Sequence, residues 1–214
     1  MSPACTLTAA AVLIAAIGPH SRAADEAPSL PMALAWLKRV DGELKKPRYA
    51  ELTLEQLESA NELQLGGHRA SDNKHLSIKP EELKNLAAFT HLKKLHVGEN
   101  DGITDEALVH IGKLTKLQEL VLWDAPITDA GLKHLAPLKD LRNLDLAFAT
   151  KITTAALADI AQFPKLERLN LAGTKTDDVS ALSKLTTLQE LRLGKLTPKG
   201  VDELKKARPT LMIK

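Results

Sequence analysis

An α/β solenoid, with a parallel sheet on its concave face and helices on its convex face, is the architecture this sequence predicts. Three observations carry the prediction. Hydrophobic residues make up 44% of the 214-residue chain and aromatics only 3%, so the core is expected to be aliphatic and built largely of leucine. Leucine, or valine once, recurs at offsets 1, 4 and 6 in five successive registers that begin at Leu92, Leu117, Leu141, Leu166 and Leu188. Those registers start 25, 24, 25 and 22 residues apart, a spacing at which one supersecondary unit stacks on copies of itself.

The physics inside a unit is readable. Offsets 4 and 6, for example Leu120 and Leu122, have the period of two that puts both side chains on one side of a strand. A small or polar turn follows, as at Ala172-Gly173-Thr174. Next comes Ile103-Thr104-Asp105, repeated as Ile127-Thr128-Asp129 and in part as Ile152-Thr153. The isoleucine points to the core, the threonine caps a helix and the aspartate suits its positive end. Leu132, Leu135 and Leu138 then lie at helical spacing. One unit leaves both of its stacking surfaces open, and neighbouring units close them. The 25-residue units each carry an extra residue in the turn. The 22-residue unit is shorter on its helical side, at Asp178 to Leu185, so the curvature should change there.

The ends fit the same scheme. Leu63 and Leu65 sit at offsets 4 and 6 of a degenerate first strand, whose unit is lengthened by a loop over Gly66 to Leu76. Pro80 suits the first turn of the helix that follows, with Leu83 and Leu86 inward. Pro209 to Ile213 reads as a closing edge strand. Ahead of the repeats, Ser29 to Val40 has a helical apolar stripe of Met32, Leu34, Trp36, Leu37 and Val40, ended by Gly42. Thr53-Leu54-Glu55-Gln56 reads as a capping box, with Leu54 and Leu57 inward. Residues 24–58 are therefore expected to form an N-terminal helical cap, and residues 59–214 the repeat domain.

These repeats resemble the leucine-rich-repeat family from about Ala60 to the C-terminus. The Thr128–Leu132 run is similar to repeats abundant in planctomycete-type bacterial proteins, and the 22-residue unit to the internalin type. The resemblance implies a scaffold and does not fix an activity. The family's asparagine at offset 9 occurs once, as Asn100, with Ala125, Ala149 and Thr174 in the matching places. Threonine can still bond the turn backbone and alanine cannot, so a continuous asparagine ladder is not expected.

Residues 1–23 read as a secretory signal peptide. Leu7 to Ile17 is apolar apart from Thr8 and shorter than the roughly 20 residues a bilayer span needs. Ser21-Arg22-Ala23 then places small residues before a cleavage point at Ala24. No Lys or Arg precedes the apolar run, which leaves an uncleaved anchor as the alternative. Cleavage would remove Cys5, the single cysteine, and with it any disulfide, thiolate metal site or cysteine nucleophile. It would also remove Arg22 and lower the net charge from +2 to +1, a balance that argues for neither nucleic acid nor an anionic membrane as partner. The expectation is a secreted or periplasmic monomer without membrane insertion after cleavage.

Catalytic motifs do not emerge. His68, His75, His91, His96, His110 and His134 form no helical pair of metal-ligand spacing, although His110 and His134 occupy matching positions in adjacent units. His68 and His75 in the insertion, or His96, are the weak candidates for a metal. Gly66-Gly67-His68 lacks the Lys-Ser/Thr of a phosphate loop, and no Gly-x-Ser-x-Gly occurs. No enzyme activity, cofactor or metal is expected.

The strand face is more informative. Offset 3 presents Lys94, Glu119, Asn143, Arg168 and Glu190, and offset 5 presents His96, Val121, Asp145, Asn170 and Arg192. Offsets 7 and 8 add Trp123, Asp124 and Phe148. The candidate partner-binding set is Lys94, His96, Glu119, Val121, Trp123, Asp124, Asn143, Asp145, Phe148, Arg168, Asn170 and Arg192. Parallel strands about 4.8 Å apart would make Trp123 and Phe148 neighbours and a candidate hot spot. The alternatives are that Phe148 folds into the core, that Trp123 shields a turn, and that Arg168 merely pairs with Asp145 and Glu190. Six strands about 13 Å long give a face of roughly 300 Å². Stable interfaces take about 800 Å² per partner, so this face alone suits a peptide, a loop or a weak contact. The expected function is an exported, non-enzymatic protein–protein interaction module that binds an unidentified protein or peptide through its concave face. A carbohydrate- or cell-wall-binding module using Trp123 and Phe148 is the alternative.

Overall fold

The computed structural model of the chain describes residues 28–42, 51–65 and 78–214. The signal-peptide segment, the Gly66–Leu76 insertion and its His68 and His75 lie outside the described residues. Among the described residues, seven strands form one wholly parallel sheet in chain order. They are β1 (Glu62–Gln64), β2 (Lys94–His96), β3 (Glu119–Val121), β4 (Asn143–Asp145), β5 (Arg168–Asn170), β6 (Glu190–Arg192) and β7 (Met212–Ile213). Each pairs with the next in sequence, and Leu63, Leu95, Leu120, Leu144, Leu169, Leu191 and Ile213 stand in one register row. The leucine pattern therefore fixed both strand position and register, because a slip of one residue would turn every leucine out to solvent.

Opposite the sheet lie short helical segments: α3 (Asp105–Ile111), α4 (Asp129–Leu132), α5 (Leu157–Ile160) and α6 (Val201–Ala207). Much of this layer is 3₁₀ rather than α, at Pro80–Ala88, Lys133–Leu135, Thr154–Ala156 and Ser180–Lys184. The reason is geometric. A 3₁₀ helix rises about 2.0 Å per residue against 1.5 Å, so it spans the back of a unit with fewer residues. The shortened unit uses only the 3₁₀ segment Ser180–Lys184. Pro80 starts its segment as the sequence predicts.

Two helices precede the regular repeats, α1 (Leu30–Gly42) and α2 (Leu54–Glu58). On α1, Ala33, Trp36, Leu37 and Val40 are buried, and they join one core that continues to Leu211. Arg39 on α1 bonds Glu82 at 2.7 Å, linking this helix to the first 3₁₀ segment. Met32 departs from the predicted stripe and is 58% exposed, because the buried side of the helix runs through Ala33 and Val40. Leu54 is likewise exposed, while Leu57 is buried. The capping box is present: the Gln56 N–H donates to Thr53 Oγ1 and the Thr53 N–H to Gln56 Oε1. The core is not purely aliphatic as composition suggested, since Trp36, Phe89 and Phe163 are buried in it.

Polar side chains stitch the units together across the helical side. The Asp105 carboxylate accepts from the Thr128 N–H at 2.8 Å and from the Thr128 hydroxyl at 2.6 Å. Asp129 repeats this one unit later, accepting from the Thr153 N–H at 2.8 Å and its hydroxyl at 2.5 Å. At the next junction the direction reverses: Thr154 donates to Asp177 and accepts from the Asp177 and Asp178 N–H groups. Thr128 and Thr153 still cap, accepting from the Ala130 and Ala155 N–H groups. Each threonine thus relays a hydrogen bond from its own helix to the preceding unit. Gly131 packs directly against this clamp: a Cβ built on its backbone would lie 2.1 Å from Asp105 Oδ1, so a side chain there would force a shift, whereas the second clamp has Ala156 at the matching place.

Candidate functional site

The turns after the strands repeat a feature that leucine spacing does not reveal. At offset 8 the backbone is left-handed in four successive units: Glu99 (φ 54°), Asp124 (φ 54°), Phe148 (φ 59°) and Gly173 (φ 76°). Each of the first three is tied to the next unit by its N–H. Glu99 donates to the Trp123 carbonyl at 2.7 Å, Asp124 to that of Ala147 at 2.8 Å and Phe148 to that of Ala172 at 2.7 Å. Left-handed backbone costs a non-glycine residue about 1–2 kcal/mol, least for Asn and Asp. Only Gly173 meets this geometry without cost. It also meets a spatial demand, because a Cβ at Gly173 would come within 2.8 Å of the Phe148 ring.

This backbone carries Phe148 away from the core. The ring is 51% exposed. It meets Trp123 edge to face, with centroids 6.0 Å apart and planes at 79°. The expected neighbourhood of the two aromatics is therefore found, and the folding of Phe148 into the core is not. Glu99, Trp123, Asp124 and Phe148 together line a groove of about 520 Å³.

Beside the turns, the concave face carries two polar rows. In the offset-3 row, Glu119 binds His96 Nε2 at 2.9 Å and accepts from Asn143 Nδ2 at 3.1 Å. Asn143 Oδ1 in turn accepts from Arg168 Nε at 2.8 Å. In the offset-5 row, Asp145 accepts from Asn170 Nδ2 at 3.1 Å and from the Ala147 N–H at 2.9 Å. Arg168 thus pairs with Asn143, not with Asp145 or Glu190 as its position suggested. Glu190 instead accepts from Arg192 Nε at 2.7 Å and Lys214 Nζ at 3.0 Å. A shallow depression of about 230 Å³ gathers Glu119, Val121, Asn143, Asp145, Arg168, Asn170, Glu190 and Arg192 over the leucine row. Lys94 stands outside it, next to Glu62 at 3.7 Å. His96 touches it through Glu119.

The electrostatics follow from these contacts. Burial pushes the Glu119 carboxyl up, but its hydrogen bonds with His96 and Asn143 and the nearby His96 and Lys94 outweigh that and hold it below its ordinary value. Hydrogen bonds from Arg192 and Lys214 hold Glu190 low, and the same pairing raises Arg192. On the convex side, burial lowers His110, helped by Lys113 and Lys84. Among the described residues no group of His, Cys, Asp and Glu is arranged to hold a metal ion.

A family model described as leucine-rich repeat matches residues 90–112. Solved internalin structures from Listeria monocytogenes share the fold. The internalin inlF overlays at a TM-score of 0.57 and 20% identity, covering 90% of this chain and 59% of that one. The internalin inlC2 overlays at 0.52 and 20% identity, covering 86% and 81%. This chain is a leucine-rich-repeat protein. A curated relative, the tubulin-specific chaperone E of Danio rerio, is 32% identical over 155 residues, which span 70% of this chain and 28% of the chaperone. The internalin likeness, at its identity, concerns the fold.

One residue of this leucine-rich-repeat surface, Glu99, escapes a reading by strand rows alone. Glu99 joins the aromatic groove because it shares offset 8 with Asp124 and Phe148, and that shared offset is the signal that could have found it. Glu190, present in the offset-3 row but left out of the candidate set, lines the polar depression beside Arg192, its neighbour two residues along the same strand.

Proposed function

We propose that this protein is an exported interaction module, without catalytic chemistry of its own, that binds a protein or peptide along its concave face. The observation that supports it most is the edge-to-face Trp123–Phe148 pair, Phe148 exposed and Trp123 half-buried, beside a pre-ordered polar face. Side chains locked to one another before binding lose little conformational freedom when a partner arrives. Aromatic anchors next to such a face are the usual energetic centre of an interface. Six strand-to-strand steps of about 4.8 Å make a face near 29 Å long, which suits an extended segment of roughly eight residues. The curated relative is, by its name, a chaperone specific for another protein, which is the same class of partner. Export rests on the apolar Leu7–Ile17 run and the small residues before Ala24.

The test is selection of displayed peptides on the full chain, with counter-screening on variants. Binders that are lost on Trp123→Ala and on Asp145→Ala, and kept on the convex-face variant Lys133→Ala, support the reading. No enrichment, or binders indifferent to both concave variants, would overturn it. Export is tested separately, by fractionation of the native host and N-terminal sequencing of the recovered protein.

A further inference from the structure

At the centre of the concave depression, four side chains hold two opposite charges apart. Asn143 and Asp145 on β4 stand opposite Arg168 and Asn170 on β5. Each charge bonds the amide directly across from it: Arg168 Nε donates to Asn143 Oδ1 at 2.8 Å, and Asn170 Nδ2 donates to Asp145 at 3.1 Å. The charges therefore lie on the diagonal of the square, about 8 Å apart at the backbone. Asp145 takes its other hydrogen bond from the Ala147 N–H, so its donors are neutral. Among the described residues neither Asp145 nor Arg168 forms an ion pair. Closing the diagonal would pair them, and the two asparagines stand in its place.

The groups around the square extend this separation along the solenoid. Toward β3 lies a second carboxylate, Glu119, bonded to His96 and Asn143. Lys94 stands farther out, with Glu62 as its contact. Toward β6 and β7 lie Arg192 and Lys214, two cations that share the one carboxylate of the buried Glu190. The depression is thus acidic toward β3 and β4 and basic toward β5 and β6. Arg168 and Arg192 each donate through Nε, which leaves the terminal amino groups of both guanidiniums for a ligand.

A single charge does not satisfy such a site. An acid on the arginines leaves Asp145 without a cation and is repelled by it, and a base on Asp145 meets the arginines in the same way. Opposite charges carried together answer both, the acid through charge-assisted bonds to planar guanidinium. The strands set their spacing. From β4 to midway between β5 and β6 is one and a half strand steps, about 7 Å, and alternate side chains of an extended chain lie about 6.6 Å apart on one side. We propose that the depression receives two oppositely charged side chains, two residues apart in an extended segment of the partner polypeptide, the carboxylate on Arg168 and Arg192 and the cation on Asp145. This rests on the concave-face reading and names what the bound segment carries at its centre.

The probe is a Gly-Ser nonapeptide, blocked at both ends, with Lys-Ser-Glu at its centre. It is titrated into the full chain and followed by the NMR signals of the Arg168 and Arg192 Nε–H groups and the Asn170 side-chain amide. Peptides with Lys-Ser-Lys, Glu-Ser-Glu and Gln-Ser-Gln at the centre are the controls. The mixed peptide should bind about tenfold more tightly than any control, and that advantage should vanish in about 1 M salt. Asp145→Asn, which keeps an acceptor for the Ala147 N–H and removes the charge, should bind Lys-Ser-Glu and Gln-Ser-Glu alike. Arg168→Gln, which keeps a donor for Asn143, should lose the preference for Lys-Ser-Glu over Lys-Ser-Gln. Equal binding of mixed and like-charged peptides, no binding of the mixed peptide, or shifts confined to other faces would overturn the proposal. So would a Gln-Ser-Gln peptide that binds as tightly once its C-terminus is left free, because a terminal carboxylate would then be the ligand. The peptide ranking on the unaltered chain carries the test even where a variant fails to fold. If display-selected peptides depend on Asp145 yet carry no opposite charges two residues apart, this proposal fails while the concave-face reading stands.

Discussion

Replacing Asp129 with alanine tests whether the clamps between units carry stability. Asp129 accepts two hydrogen bonds from Thr153, at 2.8 Å from the N–H and 2.5 Å from the hydroxyl. Hydrogen bonds to a charged group contribute about 1.5–3 kcal/mol each, and an amide left without a partner costs further. Both residues remain partly reachable by water, which can replace some of what is lost, so the expected cost of Asp129→Ala is about 2–3 kcal/mol. Thr153→Val removes the hydroxyl bond and the cap on Ala155, for about 1–2 kcal/mol. Because the two side chains bond each other across this junction, the double variant should cost about 1 kcal/mol less than the sum. Urea unfolding of the full chain, read by circular dichroism and by tryptophan fluorescence, gives the two costs and their coupling. Hydrogen exchange at the Thr153 amide localises the effect. A cost below about 0.5 kcal/mol for Asp129→Ala, or additive effects in the double variant, would refute the clamp as a stabilising device.

Further outcomes follow from other contacts. Gly131→Ala should destabilise by about 1–3 kcal/mol, although alanine favours helices, because its Cβ would displace the Asp105 carboxylate; a rise in melting temperature would contradict the clamp geometry. Asn100→Ala should cost about 2–3 kcal/mol, since the fully buried Asn100 Oδ1 accepts from the Ile78 and Gly102 N–H groups, and denaturant midpoints read it directly. Glu119 and Glu190 are both held below the ordinary value of 4.5, so the stability they supply is present above that value and is lost as pH falls through their lowered values. Melting temperature should therefore drop on acidification below pH 4.5, and Glu190→Gln should flatten that slope. Leu144→Ala, in the middle of the register row, should cost about 2–5 kcal/mol by leaving a cavity, measurable as a fall in urea midpoint.

The leucines made the sheet legible because burial acts through a period of two that survives in the sequence. Leu95, Leu120, Leu144, Leu169 and Leu191 fall into one row for that reason alone. The clamps were not legible, because Asp105 and Thr128 lie 23 residues apart and each has a sufficient local role as a helix-start residue. A sequence shows those local roles and does not show the approach of two units. Met32 and Leu54 misled for a related cause: apolar residues near the ends of short helices satisfy helical spacing yet point past the core. In the candidate site, Trp123 and Phe148 were placed correctly by strand spacing. The exposure of Phe148 was decided by the left-handed turn at offset 8, which is occupied by Glu, Asp, Phe and Gly in successive units and so leaves no compositional trace.

The self-similar clamp also bears on how such a chain can change length. Asp105 grips the threonine of the unit that follows it, and Asp129 does the same with the same pair of bonds. Excision of residues 117–140 would bring Asp105 opposite Thr153 and Leu95 opposite Leu144, restoring the same aspartate–threonine pair at the scar, with Ala156 in the place of Gly131 as it already stands beside Asp129. The joint is thus indifferent to copy number, as a zip is to its length. The aromatic groove is not, because Trp123 lies inside the excised stretch and Phe148 outside it. Gain or loss of a unit would leave the scaffold closed and break up the pairing of the two rings.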